Sequence, residues 1–246
     1  MRSPFAPPYG ADRFSSVSRG CLANAPSRPS QRADTLGAST MSLPDRVAST
    51  ASRLHRAASR RLTPLGAEHH RFRVQHPVPE SELQAFETRH RVLLPDAYRA
   101  FVGTVSRGGA GPAYGLIPFG DDLLPDGAPP GFLAAPFVYD DALGGDDALT
   151  DADEELARPG TLSLCDEGSG YTHFLVCTGA LRGQMCIDAT VSDGGFVPLK
   201  VGFLEWFDRW LNAVLDGQSG TWWLKRRDDA AFAAEVKAMK PWWRRL

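Results

Sequence analysis

The chain has 246 residues, 43% hydrophobic, 23% charged and 10% aromatic, enough for one large or two small domains with a buried core. Its 27 Lys and Arg against 29 Asp and Glu give a net charge of −2, so the total calls for neither nucleic acid nor a membrane surface as an obligate partner. Four cysteines, Cys21, Cys165, Cys177 and Cys186, are too few for a disulfide framework and lack zinc-ligand spacing, and no run of 18 apolar residues exists to span a membrane.

The neutral total hides a split: residues 1–75 carry 12 Arg and four acids, a net of +8, and residues 76–246 carry 15 bases and 25 acids, a net of −10. The first 75 residues are rich in Ser, Ala, Arg and Pro and poor in aromatic clusters, so disorder is expected there. Between Asp45 and Leu65, Val47, Ala51, Leu54, Ala58 and Leu62 fall at helical spacing among arginines, which predicts a transient basic amphipathic helix within that tail. Met41 reads as an alternative start, with the 40 residues before it a passive or mis-assigned leader. Arg- and Ser-rich leaders of this kind also serve as targeting or surface-binding segments.

At Pro79 the texture changes. Leu83, Phe86 and Val92 predict a helix halted near Leu94-Pro95, and Tyr98, Phe101, Val102 and Val105 predict a second, ended by Gly108-Gly109. Tyr114 to Phe119 suits an edge strand, because a proline and a glycine close it. Thirteen acids against Arg158 alone fill the stretch from Asp121 to Glu167. Within it, Ala135 to Tyr139 could form a short strand and Asp147 to Ala157 a helical turn or two.

Thr161–Cys165, Thr172–Thr178 and Gln184–Ala189 are strand-length runs joined by short turns, hence antiparallel neighbours, and the middle run, apolar on both faces, belongs at the centre. Phe196 to Leu199 follows a turn. Phe203 to Leu215 is a strong helix with Leu204, Phe207, Leu211 and Val214 on one face and Trp206 and Trp210 adjoining it. The expected class is α+β: helix pair, antiparallel meander, helix, then a helical extension over 217–246 with the pairs Trp222-Trp223 and Trp242-Trp243. Packing of those pairs back on the domain is the use expected for them.

Chemistry is thinly signalled. Gly168-Ser169-Gly170 lacks the spacing of a nucleophile elbow and reads as a hairpin turn. Asp151, Asp153 and Glu155 alternate like the start of a calcium loop but lack its glycine and final glutamate. His173, alone on a strand, reads as a packed or hydrogen-bonded residue. No catalytic residue, metal ligand or cofactor is assigned.

Three pieces of the chain resemble the SUKH superfamily, in particular its Smi/Knr-like branch. They are Leu83-Gln84-Ala85-Phe86-Glu87 with Leu93 to Phe101 and Gly108-Gly109; Leu162 to Tyr171 leading into Phe174-Leu175-Val176, Thr178-Gly179 and Arg182-Gly183; and Phe203 to Leu211. The resemblance covers about 79 to 216. It departs from the family pattern at Ser169, where relatives often have cysteine, and at Met185 to Asp188, where they often have a Val-Trp strand. It implies a non-enzymatic binding domain, an immunity protein against a polymorphic toxin in bacterial members and an interaction scaffold in eukaryotic ones.

A field of carboxylates would steer a basic partner and make association fast and salt-sensitive. The expected partner-binding residues are therefore Asp140, Asp141, Asp146, Asp147, Asp151, Asp153, Glu154, Glu155, Asp166, Glu167 and Tyr171. The expectation is a cytoplasmic monomer that binds a basic toxin domain, with an intracellular scaffold or regulator as the alternative, and neither nucleic acid nor membrane as partner.

Overall fold

The computed structural model describes residues 41–60, 62–138, 158–192 and 195–217. The expected partner-binding residues Asp140 to Glu155, the helical turn near Asp147, the C-terminal extension from 218 and the first 40 residues lie outside the described residues. The class is α+β. Helices α1 (Leu43–Ser59), α2 (Ala67–His70), α3 (Glu80–His90) and α4 (Asp96–Thr104) precede strands β1 (Thr161–Gly168), β2 (Tyr171–Val176), β3 (Gln184–Asp188) and β4 (Phe196–Gly202), and α5 (Phe203–Leu215) follows.

The four strands form one antiparallel sheet in chain order. Alternation along β2 decides its two faces. Leu175 joins the main core under the helices, while Phe174 and Val176 meet Phe137 and Cys186 in a second cluster on the opposite face, flanked by Leu181 and Phe196. β2 is thus covered on both sides, as its apolar run required.

On the main face, α5 supplies a ridge of rings. Phe203 meets Tyr98 and Phe101 of α4 at 5.0 and 5.1 Å, Phe207 meets Phe101 at 5.0 Å, and Trp210 lies 5.2 Å from Phe207 and stacks on Phe72 at 6.0 Å. Edge-to-face and offset pairs at these separations add to the area they bury. Trp206 and Trp210 are buried with the rest, so the apolar face of α5 is wider than its Leu and Phe positions alone suggest.

The expected disorder over 1–75 does not extend to 41–60 and 62–75. α1 starts on Ser42, whose hydroxyl accepts the Asp45 N–H, and Pro44 suits the first turn. Val47, Thr50, Leu54 and Ala57 are buried, Thr50 donates to Asp208 Oδ1 at 2.7 Å, and Arg53 pairs with Asp208 and donates to Asn212 Oδ1 at 2.8 Å. The helix is a layer of the domain, docked on α5. Composition hid this because its buried residues are small and few, and α5 provides the bulk they need.

Two other expectations change. Tyr114 to Phe119 makes isolated bridges, Leu116 to Cys165 and Leu116 to Gly109, rather than a strand, since Gly115 (φ +101°) and Pro118 interrupt any ladder. Of the expected strand Ala135 to Tyr139, the described residues, up to Val138, form one parallel bridge, Phe137 to Gly179, and Tyr139 lies outside them. α4 ends at Thr104, before the glycines, because the Ser106 hydroxyl donates to the Gly108 carbonyl at 2.6 Å and accepts the Gln75 N–H at 2.9 Å, turning the chain early.

Leu54→Ala removes a side chain only 2% exposed, and it lowers the unfolding free energy by about 2–4 kcal/mol in denaturant titration. A chain starting at residue 76 loses its cooperative transition. His70 gives a pH signature. Its Nδ1 accepts the Phe72 N–H at 3.0 Å, Trp210 packs 6.2 Å away, and burial holds the imidazole below its ordinary value of 6.5, partly offset by Glu68. The unfolded chain therefore takes up the proton first, so this contribution is complete above about pH 6.5 and is lost as the pH falls below it. Denaturation at about pH 7.5 and about pH 5 should show the loss, and His70→Asn, which keeps an acceptor for Phe72, should remove that part of it.

Candidate functional site

The β1–β2 turn is a two-residue hairpin, with Gly168 paired to Tyr171. Ser169 and Gly170 have φ of +55° and +84°, as mirror-image hairpin turns require. Gly168 itself has φ +84°, a conformation that side chains rarely adopt, and a Cβ there would also push on Tyr114 Oη at 2.8 Å. Asp166 Oδ1 accepts the Gly168 N–H at 2.6 Å and closes the approach to the turn. The residues that carry the motif here are thus ones that the hairpin geometry needs.

The expected binding residues of this turn separate. Asp166 is exposed and Tyr171 half-buried. Glu167 turns inward: its Oε1 lies 3.0 Å from His173 Nε2, and the imidazole is fully buried. On the other side of the ring the Trp206 indole N–H donates to Nδ1 at 3.1 Å. An indole nitrogen only donates, so Nδ1 is the accepting nitrogen and the ring proton sits on Nε2, facing the carboxylate. Glu167 is held to the core rather than offered to solvent. The sequence showed the histidine but not its partners, because pairing Glu167 with His173 needs the bulge between Asp166 and Gly168.

Cys165 is opposite His173 in the β1–β2 register, so Cys, His and Glu stand together. The arrangement lacks a nucleophile. The thiol is fully buried, donates to the Pro112 carbonyl at 3.1 Å, and is pushed well up, first by burial and then by the charges of Glu167 and Asp166. Burial pushes the Cys177 and Cys186 thiols up to about 12. Protonated, enclosed sulfurs neither attack nor ligate. Among the described residues no group of three His, Cys, Asp or Glu is placed to hold a metal ion, and no helix is long and apolar enough to cross a membrane.

The two ends that flank residues 139–157 are fastened to the second face of the sheet. On one side the Phe137 N–H donates to the Thr178 carbonyl at 2.8 Å, and its ring lies 5.6 Å from Phe174. On the other, Gly160 accepts the Cys177 and Thr178 N–H groups and donates to Phe132. A Cβ on Gly160 would fall 2.4 Å from the Ala135 carbonyl, so the two ends touch. Arg158 completes the clamp. This buried guanidinium has Nε 3.2 Å from Asp188 Oδ2, donates from Nη1 to Ser163 Oγ at 3.0 Å, and lies 5.0 Å from the centre of the Phe174 ring. Asp188 is itself fixed, accepting the Thr190 hydroxyl at 2.6 Å. A buried charge needs partners of this kind. The one base of the acidic stretch is therefore spent inside the fold.

Comparison with protein-family models, curated proteins and solved structures finds no match to the chain.

Thiol reactivity checks the reading of the sulfurs. Cys165, Cys177 and Cys186 should react with an aromatic disulfide reagent at about pH 8 only at the rate at which the domain opens, at least about 100-fold slower than in denaturant. Rapid labelling of Cys165 in the folded chain would restore it as a candidate nucleophile.

Proposed function

We propose that the chain is a non-enzymatic protein-binding domain, an immunity protein that neutralises a basic toxin domain by forming a complex with it in the cytoplasm. The observation that carries the reading is the closed neck at residues 137 and 158–160. Between those fastened ends the sequence places eight carboxylates and no base, Asp140, Asp141, Asp146, Asp147, Asp151, Asp153, Glu154 and Glu155. Asp166 adds an exposed carboxylate on the β1–β2 turn.

Uncompensated carboxylates of this density attract a cationic surface over roughly a Debye length, about 10 Å at 0.1 M salt. They raise the rate of encounter more than the final affinity. An inhibitor that must reach its target before damage is done gains from that. The resemblance of the three motifs to Smi/Knr-like proteins supports the same reading.

The full chain, tagged and used for capture from its native extract, should retain a basic protein at low salt and release it near about 0.5 M salt. That protein, expressed alone, should arrest growth, and co-expression of the chain should relieve the arrest. Changing the eight carboxylates to Asn and Gln should slow association by about tenfold or more. A partner that is held regardless of salt and is harmless when expressed would overturn the immunity reading in favour of a scaffold.

A further inference from the structure

The sheet does not stop at β1. Three isolated antiparallel bridges carry it further, from Cys165 to Leu116, from Leu116 to Gly109, and from Gly109 to Val74. The outermost piece is the extended segment around Val74. Its inner side is fixed by two bonds, from the Ala110 N–H to the Arg73 carbonyl at 2.8 Å and from the Gln75 N–H to the Gly108 carbonyl at 3.3 Å.

That pattern determines where Val74 points. In an antiparallel pair, backbone groups alternate between the two sides of a strand. Arg73 and Gln75 turn inward, so the Val74 N–H and C=O turn outward. No hydrogen bond within the described residues engages either group, or the His76 N–H. Residues 73–77 are all exposed, with Val74 at 52%.

Two exposed bases, Arg71 and Arg73, lie at this edge. Neither makes an ion pair among the described residues, whereas Arg89, Arg99, Arg107, Arg158 and Arg209 each meet a carboxylate. At the opposite edge of the sheet, β4 carries Pro198, which cannot donate, and Lys200 at φ +56°, which breaks the ladder. At the Val74 edge the outward backbone pair belongs to Val74 itself, between Phe72 at φ +53° and His76, whose carbonyl accepts the Arg107 N–H at 3.3 Å.

We propose that the Val74 edge is a docking site for an extended acidic segment of another protein, which bridges to the outward N–H and C=O of Val74, as Val74 itself bridges to Gly109, and pairs its carboxylates with Arg71 and Arg73. Backbone bonds to Val74 would supply the register, and the arginines the selection. The same arginines repel a second copy of this edge, which is how charged edge residues prevent self-pairing. The bases of this edge are opposite in sign to the acidic segment of the sequence, so the proposal does not rest on the toxin reading.

The test is a titration of the full-length, nitrogen-15-labelled chain with the capped peptide Glu-Val-Asp-Val-Glu. The amide signals of Val74 and His76 should shift, and exchange of the Val74 N–H with solvent should slow by about tenfold or more at saturation. Val74→Pro removes the outward donor, which no internal bond uses, and should weaken the peptide by at least about tenfold while leaving the unfolding transition in place. Charge reversal, Arg71→Glu with Arg73→Glu, should abolish binding of the acidic peptide and admit Lys-Val-Lys-Val-Lys. Should Val74→Pro fail to fold, the charge-reversed chain decides the matter, because it changes no backbone group. Peptide shifts confined to other parts of the molecule, unchanged binding by these variants, or pairing of the free chain with itself through Val74 would each overturn the proposal.

Discussion

Burial of the aromatic ridge of α5 is the constraint on which the rest depends. Phe203, Trp206, Phe207 and Trp210 are too large to leave in water, and each needs a different neighbour to cover it. Tyr98 and Phe101 of α4 cover the first and third, Phe72 the last, and His173 of β2 receives the indole N–H of Trp206. Helix hairpin, sheet and N-terminal segment are thus all referred to a single helix.

Much of this was legible from spacing. The α3 and α4 stripes, the apolar faces of β2 and the period of α5 each follow from residues that a core would claim, and short turns force the strands into an antiparallel order. The motif positions Leu83, Phe86, Leu94, Tyr98 and Phe101 are buried to within a few per cent, so the fold itself accounts for them. Features that depend on distant partners were not legible. α1 looked too poor to fold because its partner α5 supplies most of the buried surface. Arg158 looked like a stray base until its pairing with Asp188 and Phe174 was visible. Glu167 looked like surface because a bulge, and not alternation, decides which way it points.

Charge is sorted along the chain, and the fold keeps it sorted. After residue 76 the described arginines are mostly neutralised locally: Arg99 bridges Glu80 and Glu87, and the Arg107 guanidinium beside Glu82 holds that carboxyl below its usual range. Before it, Arg46, Arg56, Arg60, Arg71 and Arg73 stay exposed without carboxylate partners among the described residues. The apolar face of α1 is taken up by the core, so the side of the helix that faces solvent is the one that carries Arg46, Arg56 and Arg60.

The docking of α1 on α5 also sets an order of events. Thr50 and Asp208, which seal that contact, are 158 residues apart in the chain. During synthesis α1 emerges long before its partner exists, and closing so large a loop is among the slowest steps available to a domain of this size. A nascent amphipathic helix studded with arginines meets α4 early, but its contact with α5 has to wait until α5 is made. The fold therefore cannot complete its first layer until its last described helix has been made.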